Sequence, residues 1–358
     1  MFPPFSEEKA SRILKDLILS LQKGGIELVQ TSRPSEERKN QGVMLGSLVC
    51  KDKDGNEVNL ITNSGNAKKL KNNPQISTDL HIFIIVDSIV SSEQIEEALA
   101  ENDAEIHEIT DELKNTDSHR LSVEEKENLI KLREKLCTES LEKVHALYNF
   151  HCIDGKVRSL KEICAEYNHG KLPPTGTGDC CAPKLLDYAF SHELFPVSLA
   201  ETVWTAQCGR DSSTAEGVRF ANGAAAEVRI ARPEGDRPTS HLTPPCDERC
   251  GILLPAMLGL HILYRDDAIC VVNKQSGVLS VPGRTEDKKD CIESRFKTLF
   301  GDKVEIVQSA VHRLDMETSG VMILAFTKEA HRALMKQFEA KEVHKEYIAL
   351  LDGVLAKK

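Results

Sequence analysis

Between residues 7 and 23 apolar side chains recur every three or four positions. Ile13, Leu14, Leu17, Leu19 and Leu21 stand among charges, a period that predicts an amphipathic helix. Two short apolar runs follow, Val43 to Cys50 and Glu57 to Thr62, separated by Lys51-Asp52-Lys53-Asp54-Gly55-Asn56. Asp-Gly supplies the backbone freedom of a tight turn, so these runs read as a β-hairpin. A third run, Leu80 to Val86, is expected to join them in a small sheet. From 91 to 148 the period returns to that of a helix. Ile95, Leu99, Ile106, Ile109 and Leu113 form one stripe, and Leu129, Leu132, Leu136, Leu141 and Val144 form another. Ser91-x-x-Gln94 and Ser122-x-x-Glu125 have the form of capping boxes, and Asn115 to His119 is a polar turn. The pattern predicts a long helical hairpin with a narrow apolar seam. Its first half carries nine acids and one Lys between Ser91 and Lys114, read as a solvated outer face.

A further capping box, Ser159-x-x-Glu162, opens a short helix that stops near Gly170. The Pro- and Gly-rich stretch Leu172 to Ala182 reads as an ordered loop entering a helix at about Pro183, a position the first turn tolerates. Residues 209–243 read as a loop or linker. Two Cys pairs bracket this region, Cys180-Cys181 at the helix start and Cys246 with Cys250 after Pro245. Together they offer four thiolates to a zinc ion, and Cys181, Cys246 and Cys250 are the candidates for a zinc-stabilised adaptor. Adjacent ligands are geometrically awkward, and ordinary buried thiols are the alternative. Zinc nucleobase deaminases combine a His/Cys-x-Glu with Pro-Cys-x-x-Cys. Here the second pair is one residue too long, and Pro183 stands where the acid belongs.

The rear of the chain alternates short strands with helix. Ile262 to Tyr264 and Ala268 to Asn273 form a hairpin around Asp266-Asp267, and Val304 to Val311 and Val321 to Phe326 are further strands. Lys328 to Lys341 is helical, with Ala330, Leu334 and Phe338 on one face. In a last strand, Glu342 to Leu350, period two puts Val343, Lys345, Tyr347 and Ala349 on one side.

Composition sets broad bounds. The chain has 358 residues and 40% hydrophobic content, enough for two cored domains. No apolar run reaches membrane-spanning length, and the acidic start MFPPFSEEK does not resemble a secretory signal. Eleven scattered Cys in such a chain fit reduced, cytoplasmic thiols. Net charge is −10, unevenly placed. Residues 261–358 hold 16 Lys and Arg against 15 Asp and Glu, leaving 30 against 41 in residues 1–260. That excludes indiscriminate polyanion binding and leaves selective binding open.

The stretch His312-Arg313-Leu314-Asp315-Met316-Glu317-Thr318-Ser319-Gly320 runs into the apolar strand Val321 to Phe326. It places one acid beside a cation at a strand end. The string resembles the signature of the RluA-type RNA pseudouridine synthases. Ile269 to Gly283, with Lys274, Gly277 and Val281-Pro282-Gly283, and Val343 to Leu350, with Lys345 and Tyr347, are similar to two further family segments in the family's order. The resemblance covers roughly residues 261–358. It implies an incomplete C-terminal domain on a mixed β-sheet; with the pattern of the front part this gives an α+β chain, the domain preceded by an α/β extension with the helical hairpin. The regions expected are 1–90, 91–150, 151–258 and 259–358.

By the same resemblance the chain is an isomerase that turns uridine into pseudouridine in ribosomal or transfer RNA, as a monomer, without cofactor, metal or membrane. Asp315 is the implied catalytic carboxylate. Tyr347 stacks on the uracil and helps proton removal. Arg313, beside Asp315, reads as an RNA contact or a structural salt bridge, Lys345 and Lys274 read as phosphate contacts, and His312 is assigned to structure. The family carries, beyond the Lys345–Tyr347 strand, a T-G-R-x-H-Q segment whose Arg pairs with the catalytic Asp. Leu351 to Lys358 do not supply it, so the expectation is a truncated member with weak or no activity. The alternative is a silent RNA-binding or interaction protein.

Overall fold

The computed structural model describes residues 5–30, 43–73, 83–114, 122–204, 246, 248–285 and 288–353. The chain divides into two compact units, residues 2–261 and 262–358.

In the first unit, α1 (Glu8–Lys23) presents Ala10, Ile13, Leu14 and Leu17 to a core. It ends at Gly24 in the left-handed conformation, whose N–H caps the last turn. The core is shared with β2 (Val43–Lys51) and β3 (Glu57–Asn63), the predicted hairpin, through Leu45, Val49 and Ile61. In the turn Asp52 accepts from the backbone of Asp54 and Asn56, and Gly55 takes φ 87°. β1 (Ile26–Gln30) and β4 (Lys68–Asn72) pair antiparallel and were not foreseen. β5 (Phe83–Ile85) joins the sheet parallel to β3.

The helical hairpin is present as α2 (Ser92–Lys114) and α3 (Val123–Ala146). The Ser91–Gln94 and Ser122–Glu125 boxes both close reciprocally. The predicted turn at 115–119 lies outside the described residues. Ile109, Leu136 and Val144 are buried in the seam, together with one polar pair: Asn102 donates to Ser140 Oγ at 3.2 Å. Further on, β6 (Asn149–His151), β7 (Val157–Ser159) and α4 (Leu160–Tyr167) lead to α5 (Cys181–Ser191), β8 (Phe195–Trp204) and α6 (Cys250–Leu258).

β8 pairs antiparallel with β2, giving the order β5-β3-β2-β8. The front residues, expected as three successive regions, are therefore one unit. β8 comes from the third region and completes the sheet begun in the first. α1 and α5 both pack against β2, which is buried over six consecutive residues. α5 comes so close that a Cβ at Gly46 would lie 2.4 Å from Cys181 Cβ. The proposed linker at 209–243 lies outside the described residues.

The second unit is built on β9 (Ile262–Arg265), β10 (Ile269–Lys274) and β11 (Gly320–Ala325). The order is β11-β10-β9, and both pairings are antiparallel among the described residues. α7 (Ile292–Phe300) closes the core: Phe296, Phe300 and Phe326 meet pairwise at 4.9–5.0 Å between ring centres. α8 (Lys328–Glu339) begins at Thr327, whose hydroxyl caps Ala330 N–H.

Two predicted strands are corrected. Residues 304–311 run beside β11 but form a single bridge, Ala310 with Leu324. The buried Glu293 carboxylate takes the N–H groups of Ser309 and Ala310, diverting donors that a ladder would use. Residues 342–350 form no strand pairing among the described residues, and Ile348 and Leu350 are fully exposed. Alternation can sort side chains onto two faces, but a strand exists only with a neighbour to bond.

Candidate active site

Asp315 lies in the loop between residues 311 and 320, and this loop is tied to the segment after β10. Lys274, last in β10, is fully buried and inward-facing by the sheet's alternation. Its Nζ donates to the carbonyls of Gln275 at 2.8 Å, Val278 at 2.7 Å and Met316 at 2.9 Å. Gly277 N–H donates to the same Met316 carbonyl at 2.9 Å. Ser276 Oγ donates to Glu317 O at 2.8 Å. Ser280 Oγ donates to Leu314 O at 2.6 Å and accepts from Leu314 N–H at 2.9 Å. A turn bond, Thr318 N–H to Asp315 O at 3.1 Å, closes the loop on itself. The backbone on both sides of Asp315 is thus fixed, while its side chain is exposed.

Lys274 was expected to contact phosphate. Its three hydrogens all go to carbonyls, so no donor remains for RNA, and its role is to position the loop. Burial pulls its pKa down, and the charges of Glu317 and Asp315 pull it back up.

His312 is structural, as assigned. Its Nε2 accepts Ile323 N–H at 3.2 Å, and its ring stacks on Phe338 at 5.0 Å. Burial, then the charge of Lys345, lowers its pKa, which fits a neutral ring accepting a hydrogen bond. Lys345 lies over the other ring of this pair, its Nζ 5.5 Å from the Phe338 centroid. Arg313 is exposed, and no ion pair joins it to Asp315 among the described residues. Tyr347 is 63% exposed and has no ring or hydrogen-bond partner among the described residues. The structure therefore brings together Asp315, Lys274 and the 276–280 segment, and does not bring Tyr347 to them.

Residues 268–358 match the family described as RNA pseudouridylate synthase. Over 94 residues the chain is 49% identical to the dual-specificity RNA pseudouridine synthase RluA of Escherichia coli K12, covering 26% of this chain and 41% of that protein. The Haemophilus influenzae RluA is 45% identical over 96 residues, 27% and 42% of the two chains. Over this segment the chain is similar to the RluA-type pseudouridine synthases. The chain spans about two-fifths of the length of these curated relatives. A solved human RNA pseudouridylate synthase domain containing 4 is 32% identical, covering 23% of this chain and 30% of that one, with a TM-score of 0.19.

The contacts of three residues in this segment, Ser276, Ser280 and Lys274, escaped sequence reading. They sit within the quoted motif, but only the meeting of two loops gives them partners. The thiols also differ from expectation. Cys180, Cys246 and Cys250 have their sulfurs within 4.8 Å of one another. Cys181, named beside Cys180 as a possible ligand, points to the sheet: its Sγ meets Met44 O at 3.4 Å and it is fully buried. At a helix start the capping residue and the next one face different ways, and sequence gives no sign of which faces the other Cys pair. Hydrogen bonds from Cys180 and Cys250 push the Cys246 thiol far down, and Cys180 is pushed up to about 11 by the same sharing. Pro183 is buried in the first turn of α5, so the acid of a zinc deaminase is absent from that helix. A carboxylate reaches the same turn from β8: buried Glu201 accepts Ala182 N–H at 2.8 Å, and burial pushes its pKa up to about 7.

Proposed function

We propose that residues 268–358 are part of the catalytic domain of an enzyme that isomerises uridine to pseudouridine in ribosomal or transfer RNA. Asp315 is its catalytic carboxylate. The observation that carries this reading is the clamp just described. It holds the backbone on either side of Asp315 through Lys274, Ser276, Gly277 and Ser280 and leaves the carboxylate free. A carboxylate is a weak nucleophile, and its rate advantage comes from being held at the sugar–base bond. Arg313, exposed two residues earlier, contacts the phosphate of the flipped nucleotide. Lys345 contributes a second phosphate contact, and Tyr347 stacks on the uracil.

The test uses RNA labelled with tritium at uridine carbon 5. Forming the new carbon–carbon bond to the sugar displaces that hydrogen, so release reports turnover. Release that is lost in Asp315→Asn is expected. Release that Asp315→Asn retains in full overturns the reading. A second reading, a silent RNA-binding or interaction protein, is favoured by one observation: Lys345 and Tyr347 lie on a segment unpaired with the sheet. Filter retention of uridine-rich RNA without product would select it.

A further inference from the structure

The three thiols in the front unit form a built cluster that the proposed isomerisation does not use. Cys180 is the capping residue of α5, and Cys250 is the first residue of α6. Cys246 lies one turn ahead of Cys250, and its carbonyl accepts Gly251 N–H at 3.0 Å. The two helices pack against each other, so both N-termini deliver sulfur to one place. All three sulfurs lie within 4.8 Å of one another. Thiolates around a tetrahedral zinc ion, with bonds of about 2.3 Å, are roughly 3.8 Å apart. The cluster therefore needs a contraction of about 1 Å or less to coordinate.

The chemistry of the donors narrows the ligand. Three thiolates are a soft set and select a zinc-class cation over magnesium or calcium. A disulfide accounts for two of the sulfurs and leaves the third unexplained. Glu201 holds the start of α5 from below through Ala182 N–H. It serves as a positioning group, with Gly46 allowing the helix to lie close on β2.

We propose that Cys180, Cys246 and Cys250 bind one zinc-class divalent cation, joining the starts of α5 and α6. The remaining coordination position takes a water or a further donor. The ion closes a long chain segment between Cys180 and Cys246, so its binding stabilises the folded unit.

The experiment uses the full chain, purified under reducing conditions without chelator, with zinc measured by elemental analysis and by competition with a chromophoric chelator. One zinc per chain is expected. Losing a direct ligand costs at least as much as losing an outer partner, so Cys246→Ser should weaken zinc by about 100-fold or more. Cys246 is exposed, so this variant keeps the fold, checked by circular dichroism. Cys181→Ala should keep its zinc. Cobalt substituted for zinc should show an intense sulfur-to-metal charge-transfer band, reduced in Cys180→Ser. Reduced protein that takes up no zinc when it is supplied overturns the proposal. So does zinc that survives Cys246→Ser unchanged, or that is lost in Cys181→Ala while retained in Cys180→Ser.

Discussion

Replacing Lys274 by Met tests whether a buried ammonium holds the Asp315 loop in place. Met keeps much of the apolar stem and removes all three donors. In the native protein those donors serve Gln275, Val278 and Met316 carbonyls at 2.7–2.9 Å. The Met316 carbonyl retains Gly277 N–H, so two carbonyls lose their donor. A buried acceptor left without a partner costs about 1–3 kcal/mol. Part of this is offset because the variant no longer holds a charge in the core. The net loss is about 2–4 kcal/mol, confined to the second unit. Hydrogen–deuterium exchange reads it locally, in peptides covering 269–280 and 312–325, with peptides from 43–63 as the internal control. Protection should fall by about 30-fold or more in the first set and stay constant in the second. Lys274→Arg should fail to restore it, because a planar guanidinium cannot aim donors as a rotating ammonium does. Protection within about threefold of the native protein in Lys274→Met would refute the clamp.

Three more outcomes follow from the front unit. His145 on α3 is buried, neither ring nitrogen has a partner among the described residues, and burial holds its pKa below the ordinary 6.5. The unfolded chain therefore takes up a proton first. Stability is full above about pH 6.5 and falls as pH drops below it, and urea midpoints between about pH 8 and 5 should lose this slope in His145→Leu. Gly46→Ala drives a methyl to 2.4 Å from Cys181 Cβ, so thermal unfolding should show a loss of about 1–3 kcal/mol; unchanged stability would show that α5 can yield. Asn102→Ala removes the polar pair in the hairpin seam and should cost about 1 kcal/mol, read as faster exchange in α2 and α3 only.

The local elements were legible where one short-range rule governs them. The three capping boxes close as their spacing requires, because both partners lie within four residues of each other. The Asp54-Gly55 hairpin and the helical period from 8 to 23 depend likewise on neighbours in sequence. The motif around Asp315 was legible as a string of letters, and so was the loop that carries it.

Pairing across the chain was decided only in three dimensions. β8 belongs beside β2, more than a hundred residues earlier, and nothing in its own letters names that neighbour. Residues 304–311 have a strand's composition, yet Glu293 claims two of their N–H groups. Lys274 looks like any surface cation until the sheet turns it inward and three carbonyls converge on it. Of two adjacent cysteines, helix geometry sends Cys181 to the core and Cys180 to the other thiols. Sequence fixes what each residue can do over a turn of helix or a hairpin. Which donors, carbonyls and sulfurs meet depends on desolvation and close packing between distant segments, and only the folded chain contains those.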